Sequence, residues 1–384
     1  MRRSRKITAW LAAALVVIAA GLHATNYLRA AAFVIDAAGM QGVVRNAARL
    51  ETNPFDQRAL EVPWRGGTLR ARLYTPRGAS DRAMLLVPGV HAAGVDEPRL
   101  VQFARDLASV RHTVLTVEPV DLTRYLITPR TTDMIEDAAG WLAARRDLAT
   151  DGRVGMMGIS FAGGLSIVAA ARPSLAGRVQ FVTSLGGHGD LPRTLQYLCT
   201  GVQADGTRRP QHDYGLAVIL LGAADLVVPA GQAEPLRAAI LTFLEGSRLD
   251  VADRTRAAAE FARARAMAAA LPEPARTLMG YVNDRDVAHL GPILLPHVRA
   301  LGGDAALSPE RSAAPPCRVY LLHGTGDNVI PAIESALLAR ALRSRGVEVH
   351  QLATALITHA EVDRTATAAA VWRLVRFWRD LLNE

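Results

Sequence analysis

A serine hydroxyl becomes a useful nucleophile only when a base takes its proton and an acid orients that base. One serine stands where this could be arranged. Gly158-Ile159-Ser160-Phe161-Ala162 joins an apolar run that reads as a strand (154–159) to a helical stretch (162–171). A nucleophile there is lifted on a tight turn, small flanking residues let strand and helix pass closely, and the helix N-terminus favours negative charge developing beside it. The bland reading is a serine that caps the helix. Downstream, Leu321-Leu322-His323-Gly324-Thr325-Gly326-Asp327-Asn328-Val329-Ile330-Pro331 puts Asp327 just past a buried strand, and Thr358-His359-Ala360 puts His359 just past the next. The chain order Ser160, Asp327, His359 suits a serine nucleophile, its orienting acid and its base. Asp190, in Gly186-Gly187-His188-Gly189-Asp190, is the competing acid.

The elements that must position these residues follow from apolar periodicity. Strands are predicted over 67–75, 83–87, 112–117, 154–159, 179–185, 319–322 and 347–352, and helices over 99–110, 132–146, 162–171, 332–343 and 364–382. Strands alternating with helices imply a parallel sheet covered on both faces, whose carboxyl edge forms the usual ligand crevice. Between about 191 and 315 the rhythm lapses into helical patterns, clearest at 233–245, 251–270 and 287–301.

The N-terminus reads MRRSRK followed by the apolar stretch Ile7–Leu22. A basic cluster ahead of such a run is the layout of a membrane helix or a cleaved export signal. The expected organisation is therefore residues 1–28 as basic end and membrane anchor or signal, 29–57 as juxtamembrane helix and linker, and 58–384 as the α/β domain with its helical insertion at about 191–315. Phe33, Ala37, Met40, Val44 and Ala47 would form one apolar stripe on the juxtamembrane helix, packed on the domain or leaning on the membrane. With the basic end inside, the domain would lie on the extracytoplasmic side of the cytoplasmic membrane; after signal cleavage it would be secreted or periplasmic.

Composition narrows the partners. Of 384 residues, 50% are hydrophobic and 21% charged, which excludes a disordered chain. The net charge of +8 is carried almost wholly by arginine, Lys6 being the only lysine, and its one dense run is the N-terminus. No nucleic-acid partner is expected, since the charge forms no basic patch interleaved with aromatics. Two cysteines, Cys199 and Cys317, exclude a disulfide-rich scaffold. The ten histidines show neither HxxxH nor HExxH spacing, so no metal site is expected, and the serine chemistry itself requires no cofactor.

The pieces GISFAGG, LLVPGVHAAG, LLHGTGDNVIP and THA resemble the α/β-hydrolases, especially serine members similar to dienelactone hydrolases and bacterial esterases; the resemblance spans about 60–190 and 315–384. It implies an eight-stranded, mostly parallel sheet with the helical insertion as a cap. It also implies an oxyanion hole from two backbone N–H groups, one of Phe161 and the other of Val90, with His91 as the fallback. His91, Arg124, Tyr125 and His188 are the further candidates for a substrate pocket. The implied activity is cleavage of a carboxylic ester, on a small and hydrophobic acyl substrate, through an acyl-enzyme. Peptidase, thioesterase and acyltransferase reactions would use the same residues. A membrane-tethered binding or envelope-assembly module that has kept the fold without catalysis is the reading from a different class.

Overall fold

A computed structural model describes residues 25–35, 52–80, 82–250, 253–357 and 368–384. Eight strands form one sheet in the order β1-β2-β4-β3-β5-β6-β7-β8: β1 Phe55–Trp64, β2 Gly67–Pro76, β3 Arg82–Val87, β4 His112–Val117, β5 Val154–Ile159, β6 Val179–Leu185, β7 Arg318–Gly324 and β8 Val349–Thr354. β1 and β2 are a hairpin added antiparallel to β4, and all pairings from β4 to β8 are parallel. This is the eight-stranded, mostly parallel sheet that the resemblance implies.

The central strands are short continuous apolar runs because both of their faces are covered. Along β3, Ala83, Leu85 and Val87 face a core shared with the helices Pro129–Ala144, Phe161–Ala170 and Ile333–Arg343. Met84 and Leu86 face the opposite core, shared with the helices Pro98–Ser109 and Ala368–Leu382. A one-residue alternation therefore distributes the sheet between two helical layers.

A helix over 25–35 belongs to the second layer. Phe33 is 1% exposed and meets the Phe103 and Trp378 rings at 5.7 and 4.5 Å. The rest of the predicted stripe, Ala37 to Ala47, lies outside the described residues, as does the apolar segment 7–22 read as a membrane helix or signal. Among the described residues no helix is long and apolar enough to cross a membrane.

Between β6 and β7 the described residues form helices joined by loops: Leu191–Thr200, Tyr214–Val227, Ala230–Leu249, Arg254–Ala270, Ala275–Asn283, Val287–Leu294 and Val298–Gly302 are their α-helical segments. The helix predicted over 287–301 is interrupted by a 3-10 turn at Leu295–His297, where Pro296 cannot donate to an α-helical ladder. Cys199 and Cys317 are separate free thiols, both pushed up to about 12 by burial.

Candidate functional site

Ser160 leaves β5 with φ +56° and ψ −133°. A non-glycine residue at positive φ costs about 1–3 kcal/mol and persists only where its surroundings enforce it. Here they do. The Ser160 N–H donates to the Leu185 carbonyl at 2.8 Å, tying the turn to the end of β6, and the Gly163 N–H donates back to the Ser160 carbonyl at 2.8 Å. A Cβ at Gly158 would overlap the Ala162 carbonyl, and one at Gly164 would stand 2.6 Å from the His188 ring. Backbone passes backbone at Gly158, and the His188 ring and carbonyl fill the space at Gly164, so both positions require glycine. Ser160 occupies the N-cap position, yet its side chain makes no capping hydrogen bond to the helix. The bland reading of this serine is thereby set aside.

Phe161 opens the following helix, where an N–H has no intrahelical acceptor and is available to an anion. The loop after β3 closes against the same turn: a Cβ at Gly89 would lie 3.2 Å from Ser160 Cβ, and half-buried Val90 follows directly. Phe161 and Val90 thus stand on the two chain segments that flank the serine.

Asp327 is 1% exposed beyond the end of β7. Its Oδ1 accepts the N–H groups of Val329 at 2.9 Å and Ile330 at 3.0 Å. Its Oδ2 faces Gly186, where a Cβ would come within 3.5 Å. The Gly186 N–H donates to the Leu322 carbonyl at 2.8 Å, so the end of β6 lies between the serine turn and the acid loop and braces both. His323 holds that loop from within. Its Nε2 donates to the Ile330 carbonyl at 2.8 Å and stands 3.5 Å from Asp327 Oδ2, while Nδ1 accepts from Ser335 Oγ at 3.0 Å. Both ring nitrogens are engaged in ordering the loop.

The helical insertion holds the loop from outside, a contribution the sequence did not disclose. Tyr197 Oη donates to the Asn328 carbonyl at 3.2 Å, Arg209 Nη1 to the Thr325 carbonyl at 2.8 Å, and the His212 N–H to the Asn328 carbonyl at 2.9 Å. Just past the loop, Glu334 is 2% exposed and accepts from the Gly189 and Asp190 N–H groups and from Arg193. A buried carboxylate without such partners would be costly; here it locks the β6 loop to the helix after the acid.

Asp190, the competing acid, has both of its carboxylate oxygens engaged. Its Oδ1 caps the helix Leu191–Thr200 through the Arg193 N–H at 2.9 Å, and its Oδ2 pairs with Arg311 at 2.5 Å. His359 lies outside the described residues. The Thr325 N–H donates to the Thr354 carbonyl at 2.9 Å, which fastens the end of β8 to the acid loop, and the described chain reaches Ile357 two residues before His359.

The pocket candidates separate. His91 is half-buried on the loop after β3; its Nδ1 accepts the Ala93 N–H at 3.2 Å and burial lowers its pKa. Tyr125 is 5% exposed with φ +60°, and meets the insertion's Tyr214 edge-on at 6.2 Å. Burial, with the Glu245 carboxylate, raises its phenol, against the opposing pull of Arg248 and the Ala92 amide. His91 and Tyr125 are both within reach of the Glu245 and Arg248 charges on the helix Ala230–Leu249. Arg124 is exposed on the surface after the short helix Val120–Thr123. His188 is fully buried rather than set in an open wall: Nε2 donates to the Leu307 carbonyl at 2.7 Å and the ring packs against Phe161 at 5.5 Å. Burial lowers its pKa, and the ring packs as a support under the serine turn.

Among the described residues no three His, Cys, Asp or Glu side chains converge as metal ligands. An open groove of about 430 Å³ lined by Trp64, Arg65, Glu136, Asp137 and Arg178 shares no residue with the neighbourhood of Ser160.

Comparison with solved structures returns likenesses of fold. An esterase from Pyrobaculum calidifontis is similar at 15% identity and TM-score 0.44, over 87% of this chain and 85% of that one. A thermostable carboxylesterase cloned from a metagenomic library is similar at 16% identity and TM-score 0.47, over 87% and 92%. An acylaminoacyl peptidase from Pyrococcus horikoshii is similar at 12% identity and TM-score 0.45, over 87% of this chain and 41% of the peptidase. No protein-family model matches the chain, and no curated protein matches it in sequence.

Proposed function

We propose that the chain is a serine hydrolase that cleaves carboxylic esters on an α/β-hydrolase fold. The observation that carries this reading is the backbone of Ser160, held at positive φ between β5 and a helix in a turn whose neighbouring glycines admit no side chain, with its hydroxyl making no capping bond to that helix. Strain of this kind at a serine is difficult to account for as packing alone.

Ser160 Oγ attacks the ester carbonyl carbon while its proton passes to His359. Asp327, fixed by the Val329 and Ile330 amides, orients the imidazole and stabilises its charged form. The tetrahedral oxyanion is held by the Phe161 and Val90 N–H groups, each such donor being worth about 3 kcal/mol when aimed at the developing charge. Collapse breaks the bond to the alkoxy oxygen, which leaves as the alcohol with the proton from His359. A water molecule, giving a proton to the same histidine, then attacks the acyl-serine and releases the carboxylic acid and Ser160. The apolar residues beside the turn, Val90 and Phe161, favour an uncharged acyl group.

Location is part of the proposal. Residues 1–6 are basic and 7–22 apolar, supporting a single pass through the cytoplasmic membrane with the α/β domain on the extracytoplasmic side; cleavage of the segment would leave the domain periplasmic or secreted.

The test is turnover of a panel of p-nitrophenyl esters of increasing acyl length, thioesters and aminoacyl anilides by wild-type protein and Ser160→Ala. Ester turnover that disappears in the variant is expected. Turnover of anilides or thioesters with esters untouched would move the assignment to peptidase or thioesterase. Turnover that survives Ser160→Ala would remove the serine mechanism.

A further inference from the structure

We propose that the helices 25–35 and Ala368–Leu382 together present a surface that rests in the headgroup layer of a bilayer containing anionic phospholipid. The inference rests on the anchoring reading of residues 7–22 and deepens it by naming the face that meets the membrane.

The two helices bury one side of themselves thoroughly. Ala30, Phe33 and Val34 of the first, and Leu374, Phe377, Trp378 and Leu381 of the second, enter the core on that face of the sheet. What they leave outside is unusual for a surface in water. Leu28 is 56% exposed and Trp372 53%, with Val371 beside it at 36%. Tyr27 stacks flat on Trp372 at 5.1 Å, so the aromatic rings of the two helices meet at this surface. Scattered exposed apolar residues need no explanation, whereas a contiguous aromatic patch does.

The occupant follows from chain connectivity and charge. Leu28 is six residues beyond Leu22, the end of the apolar stretch. Six residues span about 9 Å if helical and at most about 21 Å if extended. If residues 7–22 occupy the hydrocarbon core, Tyr27 and Leu28 are held within reach of its interface, and Trp372 is held at the same level by the stacking. Tryptophan and tyrosine favour that layer because their rings are amphipathic. Arg373 and Arg376 are exposed on the helix that carries Trp372, and neither forms an ion pair among the described residues. Arg379 lies over the Tyr27 ring at 4.6 Å and is paired with Asp380. Exposed guanidinium groups next to an indole match phosphate oxygens of anionic lipids.

The test uses the full chain reconstituted into vesicles of phosphatidylcholine with phosphatidylglycerol, and vesicles of phosphatidylcholine alone. Flotation in a density gradient reports anchoring, and quenching of tryptophan emission by lipids brominated at shallow acyl positions reports depth. Wild-type protein is expected to float and to be quenched. Trp372→Phe should float equally but lose the Trp372 share of shallow quenching, and Arg373→Ser/Arg376→Ser should lose the dependence of quenching on phosphatidylglycerol. Flotation with identical shallow quenching in wild type and Trp372→Phe would overturn the surface while leaving the anchor intact. Wild-type quenching indifferent to phosphatidylglycerol would overturn the anionic-lipid assignment. Failure of the wild-type chain to float would remove the anchor and this surface together.

Discussion

The hydroxyl of Tyr197 donates to the carbonyl of Asn328, the residue next to Asp327, across 131 positions of sequence. With Arg209 on Thr325, it makes the helical insertion a brace for the acid loop as well as a cover for the sheet. Removing either donor should let the loop relax and the carboxylate drift from the base. Tyr197→Phe and Arg209→Ala are each expected to lose about 1 kcal/mol of this restraint, equivalent to about a fivefold slower reaction of Ser160 with an ester, with KM little changed. Initial-rate kinetics on one short-chain ester provides the check, and an altered KM with unchanged kcat would contradict the positioning role.

The two acids make opposite predictions. Asp327→Asn keeps the side chain's size but cannot fix the histidine in the required tautomer, so activity should fall by about 10³–10⁴ with folding retained. Asp190→Asn loses the ion pair with partly exposed Arg311, costing about 1 kcal/mol of stability and leaving activity close to wild type. Urea denaturation and turnover measured together separate the pair. The reverse pattern would give the catalytic role to Asp190.

The glycines of the turn should not tolerate even a methyl group. At Gly158 an added Cβ would overlap the Ala162 carbonyl, and Gly158→Ala is expected to cost about 3 kcal/mol or more. Gly280, in the helix Ala275–Asn283, has nothing within 4 Å of such an atom. There the same substitution should stabilise, by up to about 1 kcal/mol, through helix propensity. Denaturation midpoints of the two variants make the comparison.

His188 gives the stability a pH dependence of definite sign. Burial holds its folded pKa below the unfolded value, so the unfolded chain binds the additional proton. Its contribution is therefore complete above the ordinary histidine value near 6.5 and is lost as pH falls below it. The unfolding free energy of wild-type protein should decline from about pH 6.5 downward. The decline should be shallower in His188→Gln. Equal slopes would mean that other groups carry the acid sensitivity.

Much of the frame could be read before any coordinates, because buried parallel strands such as Ala83–Val87 and Val154–Ile159 are unbroken apolar runs. β1 could not. FDQRALEVPW is an edge strand with most of its side chains in water, so it carries neither an apolar run nor a clean alternation, and its start at Phe55 falls inside the stretch read as linker. Tyr214–Val227 also gave no usable period, since a helix buried nearly all round is apolar all round. At the site, Ser160 and Asp327 were visible from their places at strand ends. Tyr197, Arg209 and Glu334 were not, because what they hold is brought to them only by the fold.

The most direct measurement is labelling of the full chain with a fluorophosphonate, followed by mass-spectrometric mapping of the adduct, with Ser160→Ala and His359→Ala alongside. The serine-hydrolase reading predicts an adduct on Ser160, absent from Ser160→Ala and strongly reduced in His359→Ala. No adduct on folded wild-type protein, or one on Ser160 that forms equally fast in His359→Ala, would contradict it.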